Sequence, residues 1–211
     1  MVEAILFDFW GTLVENGVWS PIKQVKDILG LRMPFSEYVV RMEKAMMTQE
    51  FPTLKEAFES VCNEFKVECS EEKLEKLIGM WNKSWMLAQP YEEVAEALEK
   101  LKNKHKLILV SNTDRFSVEK VLEKFKLGEL FDEVFFSYQL GLIKTDPLFF
   151  KKVLGKIGLD PKNCILVGDS IQSDIMAAEN AHLIGVLIDR KNSRDFQPKI
   201  RNLKELDAFL E

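Results

Sequence analysis

The stretch Val2-Glu3-Ala4-Ile5-Leu6-Phe7-Asp8-Phe9-Trp10-Gly11-Thr12-Leu13 decides the reading of this chain. Val2 to Phe7 is a short apolar run, the pattern of a strand buried in a parallel sheet. Asp8 therefore falls at the carboxyl end of a buried strand, where open α/β sheets bind their ligands. A carboxylate there, followed by a Gly-containing turn and the Thr12 hydroxyl, can serve as nucleophile or metal ligand. Trp10 stands two residues beyond Asp8. An indole neither takes nor gives a proton near neutral pH, so that position carries no acid–base chemistry.

Working outward, the chain changes character twice. Residues 20–88 read as helices only. Ser20-Pro21 is an N-cap followed by proline at the first helical position, and Ile22, Val25, Ile28 and Leu29 keep a helical period. Phe35, Tyr38, Val39, Met42 and Met46 mark a second helix. Thr53 with Glu56 forms a capping box before Leu54, Ala57, Phe58, Val61 and Phe65. Ser70 opens a fourth helix through Leu74, Leu77, Ile78, Trp81 and Trp85. From Pro90, which starts a helix, helices alternate with short apolar strands at Leu107–Val110, Val134–Phe136, Cys164–Val167 and Leu183–Ile188. That alternation predicts an α/β fold, a doubly wound parallel sheet, with a four-helix subdomain inserted after the first strand. The expected domains are a core of residues 1–15 and 89–211 and a helical cap of residues 16–88.

Composition narrows the function classes. The chain has 211 residues, 46% hydrophobic and 30% charged, with a net charge of -5. A negative balance argues against nucleic acid, whose phosphates require a basic surface. No basic leader with an apolar segment opens the chain, and no apolar run is long enough to span a membrane. Cys62, Cys69 and Cys164 are odd in number and lack metal-ligand spacing. They are expected as buried reduced thiols of a cytoplasmic protein.

Polar residues cluster just after three strands: Asp8 and Thr12, Ser111 and Asn112, Asp169 and Asp174. Lys144 lies in the loop Gly141-Leu142-Ile143-Lys144-Thr145-Asp146-Pro147. If those strands are neighbours, the groups face one crevice. Three carboxylates in one place repel each other and invite a divalent cation, and oxygen-only ligands favour Mg²⁺. Lys144 would hold an anion, and Ser111 would donate to a phosphoryl oxygen.

On these residues the chain resembles the haloacid dehalogenase superfamily over essentially its whole length. Four motifs occur in order: Asp8 to Thr12, Val110-Ser111-Asn112, Lys144, and Gly168-Asp169-Ser170-Ile171-Gln172-Ser173-Asp174. The resemblance implies that Asp8 is the nucleophile of a covalent aspartyl intermediate and that Thr12 orients it. It implies that Ser111 binds the transferred phosphoryl group and Lys144 pairs with Asp8 and the phosphate. Asp8, the backbone carbonyl of Trp10, Asp169 and Asp174 would hold Mg²⁺. Asn112 is placed with Ser111 at the substrate or stabilises its loop, and Trp10 fills space at the cap interface beside the substrate.

Trp10 departs from the phosphatases of the superfamily, which usually carry a second Asp there. That Asp protonates the leaving oxygen and then activates water, help worth roughly 10²–10⁴-fold. The 2-haloacid dehalogenases also have an aromatic residue at this point, because halide leaves without a proton. Arg41 lies near where those enzymes place a substrate- and halide-binding arginine, or else it forms a surface salt bridge. Against that branch, Ile171 replaces their Asn, Phe150 replaces their tyrosine, and Asp169 and Asp174 are both kept. The leading expectation is a Mg²⁺-dependent hydrolase of small phosphate esters acting through an aspartyl phosphate on Asp8, with a phosphorylated small-molecule substrate, a monomer or homodimer. The alternatives are a 2-haloacid dehalogenase acting through an aspartyl ester and a catalytically silent protein that binds a phosphorylated ligand. Asp114 is expected as a solvated loop aspartate, or as a substitute proton donor.

Overall fold

A computed structural model describes residues 2–210. The chain begins with β1 (Ala4–Phe7), buried at every position, then β2 (Val14–Glu15). Four helices follow: α1 (Pro21–Ile28), α2 (Phe35–Met47), α3 (Leu54–Phe65) and α4 (Glu71–Met86). β3 (Gln89–Pro90) pairs antiparallel with β2, so a two-stranded neck closes the helical insertion where it leaves and re-enters the core. Thereafter come α5 (Val94–Lys102), β4 (Lys106–Ser111), α6 (Arg115–Phe125), β5 (Glu133–Phe136), α7 (Ser137–Leu140) and α8 (Pro147–Ile157). The chain continues with β6 (Cys164–Gly168), α9 (Met176–Asn180), β7 (Ile184–Ile188) and β8 (Lys199–Ile200).

Six parallel strands form one sheet in the order β5-β4-β1-β6-β7-β8. The chain winds from β1 through β4 to β5 on one side and places β6 on the other. The order thus reverses beside β1, and the crevice at that switch point lies above the ends of β4, β1 and β6. The period of two along each strand divides the core. Ile5, Phe7, Leu107, Leu109, Ile165 and Val167 face α5, α6 and the Leu203–Phe209 turn. Ala4, Leu6, Ile108, Val110 and Leu166 face α8 and α9. This is the doubly wound α/β sheet expected from the alternating pattern.

The inserted helices bury a core of their own, built from Tyr38, Met42, Met46, Phe58, Val61, Leu77 and Trp81 among others. Thr53 and Ser70 cap α3 and α4 as their sequence suggests, accepting from the amides of Glu56 and Lys73. Ser20 does not cap α1 through its side chain: its backbone is left-handed, at φ 39°. Pro90 does not open a helix either. It is taken into the neck strand, and α5 begins at Val94.

The thiol expectation is corrected for two of the three cysteines. Cys62 and Cys69 form a disulfide, and Cys164 is free and buried. Lys66, left-handed at the end of α3, turns the chain back and brings the two α-carbons to 6.0 Å, within disulfide range. No helix among the described residues is long and apolar enough to cross a membrane.

Candidate active site

Asp8 follows β1 directly, and its amide donates to the Val167 carbonyl at 2.9 Å. The chain then folds into a tight turn. Leu13 N and Val14 N both donate to the Phe9 carbonyl, and Gly11 N donates to Val14 O at 2.8 Å. Gly11 takes φ 79°, in the region that favours glycine. A β-carbon there would lie 2.4 Å from Asp169 Oδ2, so glycine also makes room for that carboxylate. Gly168 does the same for Asp174, whose Cγ would sit 2.2 Å from an added β-carbon. The turn returns Thr12 to Asp8, and its hydroxyl donates to Asp8 Oδ2 at 3.1 Å.

Lys144 reaches this floor from the loop before α8. Its amide donates to Asn112 Oδ1 at 2.8 Å, which ties the loop to the end of β4. Its Nζ donates to Asp8 Oδ1 at 2.6 Å and to Asp174 Oδ1 at 2.5 Å, and all three side chains are buried. Asp174 sits in a π-helical turn, Ile171–Ile175, the kind of local irregularity often found at functional sites. Its Oδ2 accepts from Ser170 N at 2.9 Å. The Asp169 carbonyl accepts from the Arg194 guanidinium.

One oxygen each from Asp8, Asp169 and Asp174 lie within 4.8 Å of one another. Their electrostatics follow. Burial pushes Asp8 up to about 6 against the pull of Lys144. Burial, joined by the charges of Asp8 and Asp174, pushes Asp169 up to about 8. For Lys144, burial alone would lower the value, but Asp174 and Asp8 outweigh it and hold the ammonium above the ordinary lysine range. The site is therefore short of positive charge. An all-oxygen cluster of this kind, with two glycine positions cleared for its carboxylates, fits a hard divalent cation.

The cluster forms the floor of a cavity of about 920 Å³ between the sheet and the inserted helices. Trp10 borders it. Its indole N–H donates to Thr113 Oγ1 at 3.1 Å, and its ring meets Phe9 edge-on at 4.9 Å between centroids. Asn112 also lines the cavity, whereas Ser111 is fully buried at the end of β4 with no partner for its hydroxyl among the described residues.

Two expectations are corrected. Arg41 is not at the cavity. It makes the surface salt bridge that was its other expected role, on the outer side of α2, with Glu64 at 2.7 Å and with Glu37 one helical turn away. Asp114 is not a solvated loop residue. It is 4% exposed, caps α6 through Ser117 N, and accepts from the Ser117 hydroxyl and from Trp81 Nε1 at 3.0 Å. Burial raises its pKa. Its oxygens are committed to these donors.

Glu43 is a cavity residue that lies outside the four motifs. Phe35, Val39, Glu43 and Met47 recur every four residues along α2 and all line the cavity. A carboxylate in phase with three apolar residues was the available signal. Its Oε2 accepts from Asn112 Nδ2 at 2.8 Å. Burial pushes its carboxyl up to about 7, against the Asn112 hydrogen bond and the charge of Lys144. Arg190 and Arg194, which follow β7 and also line the cavity, likewise lie outside the motifs.

With fold and site in view, the class is a hydrolase. The chain matches the haloacid dehalogenase-like hydrolases over residues 2–182 and belongs to that family. It is 39% identical over 92 residues to the phosphoglycolate phosphatase of Pasteurella multocida, covering 43% of this chain and 41% of that one. It is 29% identical over 188 residues to the pyrophosphatase PpaX of Bacillus velezensis, covering 85% and 80%. The chain thus spans less than half the length of the first relative and most of the second. A HAD phosphatase of Thermococcus onnurineus shares the fold at a TM-score of 0.64, with 24% identity, 99% coverage of this chain and 98% of that one.

Proposed function

We propose that this hydrolase cleaves small phosphate monoesters through an aspartyl phosphate on Asp8. One observation carries the reading: a buried Asp8 is held by Thr12 and Lys144 within 4.8 Å of the Asp169 and Asp174 carboxylates. Asp8 is the nucleophile. It attacks phosphorus, the bond to the leaving oxygen breaks, and water then hydrolyses the acyl phosphate. Thr12 orients the carboxylate. Lys144 holds Asp8 in place and carries the positive charge nearest the transferred group. Ser111, whose buried hydroxyl has no partner among the described residues, and Asn112 bind the phosphoryl oxygens.

Asp8, Asp169, Asp174 and the Trp10 carbonyl would hold Mg²⁺, which supplies charge neutralisation for the phosphoryl group and the carboxylates. The inserted helices act as the cap: they roof the cavity, and substrate enters as they swing from the core. Among the described residues that line the cavity, two hydrogen bonds cross between roof and floor, from Asn112 to Glu43 and from Trp81 to Asp114.

Trp10 favours a second reading, release of halide from a 2-haloacid, which needs no acid. Phe150 speaks against it: it is a residue of α8 packed into the core, 2% exposed, and does not line the cavity. The deciding test is hydrolysis of p-nitrophenyl phosphate with Mg²⁺, with EDTA, and by Asp8→Asn. Activity that needs both the cation and Asp8 is expected. Activity insensitive to EDTA, or unchanged in Asp8→Asn, would overturn the reading.

A further inference from the structure

We infer that Glu43, carried by the cap helix α2, supplies the proton transfer that Trp10 cannot perform. The inference rests on the phosphatase reading above.

Displacement at phosphorus places the attacking and leaving oxygens roughly in line. Asp8 attacks from the floor, so the leaving oxygen points towards the inserted helices. Glu43 is the only carboxyl that α1–α4 contribute to the cavity lining among the described residues. Its orientation is set from the floor. The amide of Lys144 donates to Asn112 Oδ1, so Asn112 must turn its NH₂ outward, and that group donates to Glu43 Oε2. Oε1 has no hydrogen-bond partner among the described residues and remains available to a ligand. The chain Lys144–Asn112–Glu43 therefore ties this carboxyl to the same loop that holds the nucleophile.

The other acids near Trp10 do not qualify. Asp114 is consumed by Ser117 and Trp81; Glu15 is exposed on the neck strand β2, and Asp189 is held by Arg194 N at 2.7 Å and by Lys199. Asp169 and Asp174 belong to the cation cluster. Glu43 is also poised in protonation: burial holds its pKa near neutrality, where a group can both give and take a proton.

The steps balance. Asp8 forms a bond to phosphorus as the bond to the leaving oxygen breaks, and the Glu43 proton passes to that oxygen, releasing an alcohol. Glu43, now a carboxylate, takes a proton from water as the water oxygen attacks phosphorus. The bond between phosphorus and Asp8 breaks, inorganic phosphate is released, and Glu43 is protonated again.

The test compares Glu43→Gln with the unaltered protein, both with Mg²⁺, on p-nitrophenyl phosphate and on glycerol phosphate. Gln retains an oxygen for Asn112, so the cap contact survives. The aryl ester scarcely needs an acid and the alkyl ester does. The expected result is a loss of roughly 10²–10⁴-fold on the alkyl ester. On the aryl ester, rapid release of one p-nitrophenol per enzyme should precede slow turnover, because the phosphoenzyme forms but lacks its base. Equal losses on both esters with no burst would reduce Glu43 to a positioning residue and overturn the inference. An unaltered protein inert to both esters would instead overturn the phosphatase reading, and this inference with it.

Discussion

Lys144→Met tests the electrostatic design of the site most directly. The substitution keeps an unbranched side chain of similar reach and removes the charge. Lys144 is 3% exposed, and its two carboxylate partners at 2.6 and 2.5 Å are buried with it. Removing one partner of a buried ion pair strands the other charge and costs about 3–5 kcal/mol. For a domain of this size each kcal/mol moves the melting temperature by roughly 2–4 °C, so the expected fall is roughly 6–20 °C. The loss has a sign in pH. Lys144 lowers the pKa of Asp8, which burial still holds at about 6. Without the lysine the folded-state value rises further above that of the unfolded chain. The folded variant then keeps protons that the unfolded chain releases, so its stability falls as pH rises from about 4 through 6 and beyond. Urea unfolding in EDTA at pH 5 and pH 8 reads this out. The deficit should be small at pH 5 and full at pH 8, and Asp8→Asn added to Lys144→Met should recover part of it. An equal deficit at both pH values would refute the reasoning, as would no deficit at all.

Two further predictions concern the carboxylate cluster of Asp8, Asp169 and Asp174. Gly11→Ala should lose about 1–2 kcal/mol from its left-handed backbone alone. Its β-carbon, 2.4 Å from Asp169 Oδ2, should also displace that carboxylate, so urea unfolding and a Mg²⁺ titration of activity should both shift, the latter to higher concentration. Because Asp169 is pushed up to about 8, protons compete with the cation. Mg²⁺ should therefore raise the melting temperature more at pH 8 than at pH 6; an identical rise at both would refute the proton competition, and no rise at either would show that the cluster does not bind it.

Much of this site is legible in local sequence, because each motif sits at a strand end. An apolar run that stops at a carboxylate announces both the strand and the group presented at its end. The turn Gly11-Thr12 follows from the need for a left-handed residue that brings a hydroxyl back to Asp8. The insertion is legible from a change of period and from the caps at Thr53 and Ser70. The sequence left Arg41 open between a substrate ligand and a surface salt bridge and pointed to a solvated Asp114, for one reason: exposure depends on what other segments lie against a residue. Arg41 finds Glu64 on a neighbouring helix, and Asp114 finds Trp81, 33 residues away. The Cys62–Cys69 disulfide likewise depended on a reversal at Lys66 that no composition rule announces.

The sequence by itself determined a parallel α/β sheet with a helical insertion, and it named Asp8, Lys144, Asp169 and Asp174. Those properties are set by side-chain period and by position along a strand, both local. The tertiary structure decided which groups meet. Lys144 is 136 residues from Asp8 and becomes its ion-pair partner only because a loop folds over the end of β4. Glu43 joins the site only because α2 turns its Phe35–Met47 stripe towards the sheet. Contacts between distant segments depend on how the layers pack, and a carboxylate on an amphipathic helix reads as surface until a cavity is found beneath it.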